Sequence, residues 1–396
     1  MASAPRQTSA PTRTRPWRDP RIRALVLQAL VLILVVGGCA YIVQNTLHNL
    51  EQRGISTGFD FLSSEAGFGI IQTLIPYDET YSFGRTFIVG LLNTLLVSAL
   101  GIAVATLLGF LIGVARLSSN WLVARMAAAY IEVFRNIPLL LQIFFWYFAV
   151  LRALPAPRQS LAAGDWAFLN IRGLYLPSPI PQPGAWLVLT AVAAAVLAVT
   201  LIAGWARRRQ AATGRTFHTV YVSLALLIGL PLIAFFMAGR PLSWELPELR
   251  GFNFRGGMTL IPELMALVVA LSIYTAAFIA EIVRAGILSV SRGQTEAAYA
   301  LGLRPGLTLR LVIIPQAMRV IIPPLTSQYL NLTKNSSLAT AIGYPDLVSV
   351  FAGTTLNQTG QAVEVIAMTM AVYLTISLFI SMFMNWYNRR VALVER

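Results

Sequence analysis

Charged side chains are scarce in this sequence. Asp, Glu, Lys and Arg make up 12% of the 396 residues, whereas 57% are hydrophobic, and the mean hydropathy is +0.68. Five stretches contain no charged residue, and each exceeds the roughly 20 apolar residues that cross a hydrocarbon core about 30 Å thick. So little charge cannot solvate a water-soluble globule of this length, and that class is excluded. The uncharged stretches are Ala24–Leu50, Thr86–Ala115, Gly173–Ala206, Thr216–Gly239 and Val365–Asn388.

Three further apolar stretches are interrupted by ionisable groups and bring the predicted spans to about eight. Lipid offers no hydrogen bonds to backbone groups, so only helices and closed barrels cross it. The sequence therefore predicts an all-α, polytopic membrane protein with about eight transmembrane helices. The interrupted stretches lie around Met126–Leu151, Met258–Arg284 and Val320–Ala341.

Cysteine, histidine and recognisable catalytic motifs are also nearly absent. Cys39 is the one cysteine, which excludes an intramolecular disulfide and a cysteine metal cluster. His48 and His218 lack partners at metal-ligand spacing, so no metal site is predicted. The sequence has no Gly-x-x-x-x-Gly-Lys-[Ser/Thr] phosphate loop and no Ser/His/Asp arrangement. We expect that the chain is not an enzyme and that any ATP chemistry comes from a separate protein.

The net charge of +14 is distributed unevenly. If the N-terminus lies inside, most basic residues fall in inside segments and most acidic residues in outside loops. This is the positive-inside pattern, so both termini are predicted to be cytoplasmic. The basic excess then faces anionic lipid, and nucleic acid is not an expected partner.

The predicted spans divide the chain into five parts. The fourth and fifth spans carry almost no polar side chain, so we expect them to be peripheral to any substrate path. The loop before them, Arg152–Gly184, is rich in proline and is predicted to be turn-rich or polyproline-like. The parts are a basic cytoplasmic tail (1–23), a first span with an outer loop (24–85), a first core part (86–151), an inserted two-helix module (152–257) and a second core part (258–396).

A helix-forming loop of about 286–316 lies between two apolar stretches of the second core part. Ser291 and Gln294 fit a capping box that opens a short helix. Gly302 is placed to end that helix in a left-handed conformation, and Pro315 to enter or kink the next one. From its residues alone, this loop is equally an ordinary helical hairpin or a docking site for another protein.

The loop resembles the EAA loop of bacterial ABC-importer permeases. The matching residues are Glu296-Ala297-Ala298, then Gly302 six residues after the glutamate, then Ile314-Pro315. Further motifs narrow the resemblance to the polar amino acid permease family, and most closely to the large permease subunit of general L-amino acid or glutamate/aspartate/glutamine-type importers. These motifs are Phe278–Gly286, Gly293-Gln294, Pro315-Gln316-Ala317, Pro323-Pro324, Tyr130–Gln142 and Gly90–Leu95.

This resemblance implies a permease of the bacterial inner membrane that imports polar L-amino acids and pairs with a second, similar permease. A dimer of ATPase subunits would bind ATP and Mg²⁺, and a periplasmic binding protein would deliver the substrate. Nothing is implied for Met1–Leu50 or Arg152–Gly257, because compact family members lack those parts. The predicted ATPase-coupling residues are Gly293, Glu296, Ala297, Ala298, Gly302 and Pro315.

Polar and ionisable groups inside membrane spans are functional candidates, because burying them in lipid is costly. Lys334, the single lysine, either lines the translocation cavity, snorkels outward or pairs with Asp346. Pro138 and Pro323-Pro324 would kink their helices and free backbone carbonyls. Candidates for the translocation path are Lys334, Asn331, Asn335, Ser336, Arg135, Pro138, Gln142 and Glu263.

Two acid–base pairs have the i, i+3 spacing of a helix salt bridge: Glu132 with Arg135, and Glu281 with Arg284. Each is either an ion pair at a helix end or a gate that changes partner during transport. Two other functions remain open. An ion-driven secondary transporter would show more buried acidic residues and inverted repeats, and a non-transporting scaffold would not need a polar seventh span.

Overall fold

The computed structural model describes residues 20–52 and 57–391, and helices dominate these ranges. The predicted tail (1–23) is helical from Pro20 onward, and residues 1–19 lie outside the described part. The α-helices are α1 (Pro20–Gln52), α2 (Phe83–Ala115), α3 (Trp121–Asn136), α4 (Leu139–Phe144), α5 (Ala185–Thr213), α6 (Thr219–Met237), α7 (Pro262–Leu288), α8 (Arg292–Ala300), α9 (Pro305–Thr308), α10 (Ile314–Asn335), α11 (Leu356–Thr359) and α12 (Ala362–Val391).

Short strands occupy the two loops that flank the α5–α6 hairpin. One antiparallel sheet has the order β1-β2-β3-β8, so it joins the loop before the hairpin to the loop after it. Two-stranded sheets pair β4 with β5 and β6 with β7. The strands are β1 (Leu161–Ala163), β2 (Ala167–Asn170), β3 (Gly173–Leu176), β4 (Ser178–Pro181), β5 (Leu242–Glu245), β6 (Glu248–Arg250), β7 (Asn253–Arg255) and β8 (Met258–Leu260).

The prediction of a mostly helical, polytopic membrane protein is confirmed. In the described ranges, seven helices are long and apolar enough to cross a membrane, and an eighth span results if the bent pair Trp121–Asn136 and Leu139–Ala153 is counted as one. That pair corrects the third predicted span, because its two segments meet at 105°. Ile137 is extended, as a residue before proline prefers, and Pro138 has no N–H to continue the helix.

The strands correct two other expectations. The fourth span begins at Ala185 rather than Gly173, because β3 and β4 occupy the residues between. The proline-rich loop is likewise not simply irregular. Its strand β4 contains two prolines, which a two-stranded sheet tolerates because each strand has a free edge.

The core of the bundle is the contact between α2 and α7, with α10 and α12 packed beside it. Gly109 and Gly113 let these two helices approach closely. A Cβ atom on Gly109 would lie 2.5 Å from Ile279 Cγ2, and one on Gly113 would lie 2.7 Å from the Ala280 carbonyl oxygen. This is the small-residue packing that the spacing of the two glycines favours.

The α5–α6 hairpin packs mainly on itself. The described part of α6 has no buried residue, and the buried residues of α5 are three alanines: Ala191, Ala195 and Ala206. Apart from Arg207–Arg209 and Gln210 near the end of α5, both helices consist almost entirely of apolar side chains, so the hairpin offers an apolar surface to lipid. Pro323 and Pro324 lie inside α10, which runs from Ile314 to Asn335.

Candidate functional site

The loop between α7 and α10 forms a helix–turn–helix whose first helix is α8. Ser291 occupies the N-cap position but makes no side-chain hydrogen bond, so the predicted capping box with Gln294 does not form. The Gln294 side chain instead accepts a hydrogen bond of 3.3 Å from Gln316 Nε2. That bond links the start of α8 to α10, and α8 also packs against residues 309–313. The loop is therefore fixed to the bundle on one side.

The end of α8 is closed as the sequence predicts. Gly302 has φ +74°, its N–H donates to the Tyr299 carbonyl at 2.9 Å, and the Leu303 N–H donates to the Ala298 carbonyl at 3.1 Å. This double closure satisfies carbonyls that the helix end leaves free. A wider π-helical turn (309–313) precedes Pro315, because proline has no N–H and its ring crowds the carbonyl four residues earlier.

The free face of α8 differs in one respect from the prediction. Gly293, Glu296 and Ala297 are exposed, whereas Ala298 is only 3% exposed and faces the protein's own bundle. Sequence reasoning did not single out Leu301 as a site residue; it lies in the turn directly after α8 and is 81% exposed. An exposed leucine at the end of a helix that exposes Glu296 and small residues suits contact with another protein.

Gln142 closes the elbow between α3 and α4. Its side chain is 4% exposed, and Nε2 donates to the carbonyls of Phe134 and Ile137 at 3.0 Å each. In an unbroken helix, the Phe134 carbonyl would accept from residue 138, but that residue is Pro138. Gln142 thus replaces a missing backbone donor, and in this structure it serves the elbow rather than an open cavity.

The two predicted ion pairs have different outcomes. Glu281 and Arg284 form one, with Arg284 Nε 2.9 Å from Glu281 Oε2. Glu132 and Arg135 do not. The Arg135 guanidinium lies 5.1 Å from the centroid of the Phe278 ring, which places it against α7 instead.

Glu263 lies at the start of α7, close to the strands. Its Oε1 accepts a 2.7 Å hydrogen bond from the Tyr147 hydroxyl, and Arg152 Nη2 donates to the same hydroxyl at 3.2 Å. The carboxylate is thus part of a chain of three side chains that joins α7 to the segment after α4. Pro138 is exposed beside the elbow.

Lys334 lines an open cavity of about 440 Å³. The other side chains around it come from three segments: Ser337, Val348, and five residues of α12. Thus the structure brings Lys334 together with hydroxyl groups that sequence reasoning did not single out. The α12 residues are Thr369, Met370, Tyr373, Leu374 and Ser377.

The remaining predicted path residues lie elsewhere. Asn331 is exposed and Asn335 is half-buried, but neither lines the cavity of Lys334. Ser336 is buried and donates to the Thr333 carbonyl at 2.8 Å. Lys334 forms no ion pair with Asp346, which excludes one of its three predicted arrangements in this structure.

Comparisons with known proteins identify the family. The family described as "Binding-protein-dependent transport system inner membrane component" matches residues 226–393. The chain is 60% identical to a putative amino-acid ABC transporter permease protein, YhdX, of Escherichia coli (strain K12), over 96% of this chain and 97% of that one. It belongs to this family of amino-acid ABC transporter permeases.

Two other relatives agree along nearly their full length. The general L-amino acid transport system permease protein AapQ of Rhizobium johnstonii is 52% identical, over 96% of this chain and 94% of that one. The glutamate/glutamine/aspartate/asparagine transport system permease protein BztB of Rhodobacter capsulatus is 46% identical, over 96% of each chain. The chain is therefore a multi-pass membrane permease subunit of an ABC importer, and the matched region 226–393 includes both α8 and the cavity of Lys334.

Proposed function

We propose that this permease imports polar L-amino acids by alternating access and that a partner ATPase drives it through α8. The observation that carries the proposal is the exposed face of α8, with Glu296 and Ala297, on a loop whose other face is held to α10. A force on this face would reach α7 and α10 directly, because the loop joins them. These two helices belong to the packed core of the bundle.

The substrate class comes from the relatives and is supported by the cavity. The names of three relatives refer to amino acids, general L-amino acids, and glutamate, glutamine, aspartate and asparagine. In this chain, Lys334 provides a cation beside several hydroxyl groups, which suits a carboxylate-bearing polar molecule. Acidic and amide amino acids fit that description, as does a broader range of polar amino acids.

The same proposal includes the partners and the orientation. A second permease would complete the transport path, a dimer of ATPases would bind ATP and Mg²⁺, and a periplasmic protein would deliver the substrate. The positive-inside pattern supports cytoplasmic termini in the inner membrane. On this orientation α8 faces the cytoplasm, where the ATPases are, and the strands β1–β8 face the periplasm.

Uptake of labelled amino acids by vesicles containing the reconstituted complex tests the proposal. We expect ATP-dependent uptake of glutamate, aspartate, glutamine or a neutral amino acid, and a loss of at least about tenfold in Glu296→Lys with the complex still assembled. Reversing the charge in the contact disfavours the ATPase-bound state, and the motor can bias the two states only by its differential contact energy. Asp165→Lys, at an exposed position between β1 and β2, is the matched control.

Uptake that persists without ATP and follows an imposed ion gradient would contradict this function. It would instead favour a secondary transporter and make the α8 loop purely structural. Unchanged ATP-dependent uptake in Glu296→Lys would reject the coupling role of that residue while leaving the importer itself in place.

A further inference from the structure

Tyr373 belongs both to the cavity of Lys334 and to a buried polar cluster behind it. Its side chain lines the cavity, and its hydroxyl donates to Asp346 Oδ2 at 3.4 Å. Asp346 lies in the connection between α10 and α11 and has no exposed surface. Tyr373 therefore connects the open cavity of Lys334 with a carboxylate that is fully buried.

Asp346 is an unusual group to bury. Among the described residues it makes no ion pair, although its carboxylate accepts hydrogen bonds from the Ser349 N–H (2.9 Å), the Thr340 hydroxyl (3.4 Å) and Tyr373. A buried carboxylate without a cation is costly, and hydrogen bonds from neutral groups offset only part of that cost. No cation among the described residues neutralises this carboxylate by an ion pair.

The segment around Asp346 is held rigidly against α2. Asn93 Nδ2 donates to the Pro345 carbonyl at 2.8 Å, the Leu347 N–H donates to Thr94 Oγ1 at 3.0 Å, and the Tyr344 hydroxyl donates to the Asn93 carbonyl at 3.2 Å. These contacts fix the carboxylate before any substrate arrives. A charge that is fixed in advance does not have to reorient on binding.

The Tyr373 hydroxyl has two further polar neighbours, the hydroxyls of Thr94 and Ser336. Each of these also donates to a backbone carbonyl, that of Gly90 at 2.9 Å and that of Thr333 at 2.8 Å. Tyr373 donates its own hydroxyl proton to Asp346. A phenol that donates to a carboxylate is a stronger acceptor, because hydrogen bonds in a chain polarise one another.

We propose that Tyr373, backed by Asp346, selects substrates that carry an α-ammonium group, while Lys334 binds their carboxylate. The inference rests on the proposed function, since it assigns a recognition role within amino acid transport. Tyr373 contacts the ammonium group, and Asp346 is a positioning residue that acts through the Tyr373 hydroxyl. A cation on the cavity wall and a buried carboxylate behind Tyr373 match a zwitterion and disfavour a dicarboxylate without an amine.

The test measures protection of a cysteine in the cavity, with the full-length permease in its complex and without the binding protein. The lone Cys39 is replaced (Cys39→Ser) and Ser377→Cys provides the reporter, whose rate of maleimide labelling is followed. Two pairs of probes differ only in the amine: L-glutamate against glutarate, and L-glutamine against 4-carbamoylbutanoate. We expect at least one amino acid to protect the cysteine at a concentration at least about tenfold lower than its amine-free analogue requires. A tenfold difference is the size expected of a hydrogen bond to a charged group.

Two variants then assign the selection to the pair. For each pair of probes, the ratio compares the protecting concentration of the amine-free analogue with that of the amino acid. Asp346→Asn and Tyr373→Phe should each bring this ratio close to one, and the rate of labelling without probe should stay unchanged. Glu364→Gln is the matched control. Its carboxylate is also buried, on the same helix as Tyr373, but it accepts from the Gly58 N–H at 2.8 Å, away from the cavity, so the ratio should stay as in the reference protein.

A ratio that stays at its reference value in Tyr373→Phe overturns the inference, even if Asp346→Asn does not fold. Absence of protection by both amino acids overturns it as well. In either case ATP-dependent uptake by the complex remains a separate measurement, so the proposed function can stand when this assignment falls.

Discussion

At the scale of single residues, Gln142 lies in the α3–α4 elbow, whereas the sequence assigns it to the translocation path. It is the internal cap that allows the chain to turn by 105° at Pro138. We expect Gln142→Leu to destabilise the protein by about 1–2 kcal/mol, because the partly buried carbonyls of Phe134 and Ile137 lose their donor. The thermal unfolding midpoint of the purified protein in detergent measures this. Gln159→Leu, at an exposed position, should leave the midpoint unchanged.

An unchanged midpoint in Gln142→Leu would mean that water or lipid headgroups reach these carbonyls, and the elbow would then need no internal cap. If instead the variant keeps its stability but loses uptake, Gln142 belongs to the translocation path, as the sequence predicts.

The residue scale also shows where sequence reasoning is weak. The i, i+3 spacing is the same for both acid–base pairs, yet Glu281 finds Arg284 while Arg135 stacks on Phe278 of another helix. Local spacing decides only which side chains can reach each other. The contact that forms depends on which side chains the rest of the fold places nearby. Those tertiary neighbours cannot be inferred from a single sequence.

At the scale of elements, the packing of α2 on α7 depends on glycine. We expect Gly109→Ala to destabilise the protein by about 1–3 kcal/mol through overpacking, since the new Cβ would lie 2.5 Å from Ile279 Cγ2. Gly37→Ala in α1, where a Cβ meets nothing within 4 Å, is the matched control and should keep or slightly raise the unfolding midpoint. Equal midpoints for the two variants would show that α7 can move away at no cost.

Most helices were predictable from the sequence, because uncharged runs of membrane length leave little choice of structure. The strands were not, since β1–β8 are each only three or four residues long and pair across a separation of up to 86 residues, from Leu174 to Leu260. In the loop between α7 and α10, the ends of α8 were predictable from Ser291 and Gly302. The inward turn of Ala298 was not, because it depends on how α8 packs against the next helix.

At the scale of the whole molecule, the α5–α6 hairpin can be removed without separating the segments on either side of it. Its two ends meet, since a Cβ on Gly184 would lie 3.5 Å from Ala238 Cβ, and the Gln182 N–H donates to the Pro241 carbonyl at 3.0 Å. The paired strands β4 and β5 hold these ends together. Removing two spans also keeps every later segment on its original side of the membrane.

We therefore expect a chain in which a short Gly/Ser linker replaces residues 185–237 to insert, to keep its unfolding midpoint within a few degrees and to retain ATP-dependent uptake. Deleting α6 alone (Thr219–Met237) is the matched control, because one missing span would move α8 to the opposite side and abolish uptake. If removal of the whole hairpin abolishes uptake while the shortened protein stays folded, the hairpin takes part in transport or assembly. Since α6 buries no residue within the described chain, the hairpin would then contribute through a surface that only a partner or lipid covers.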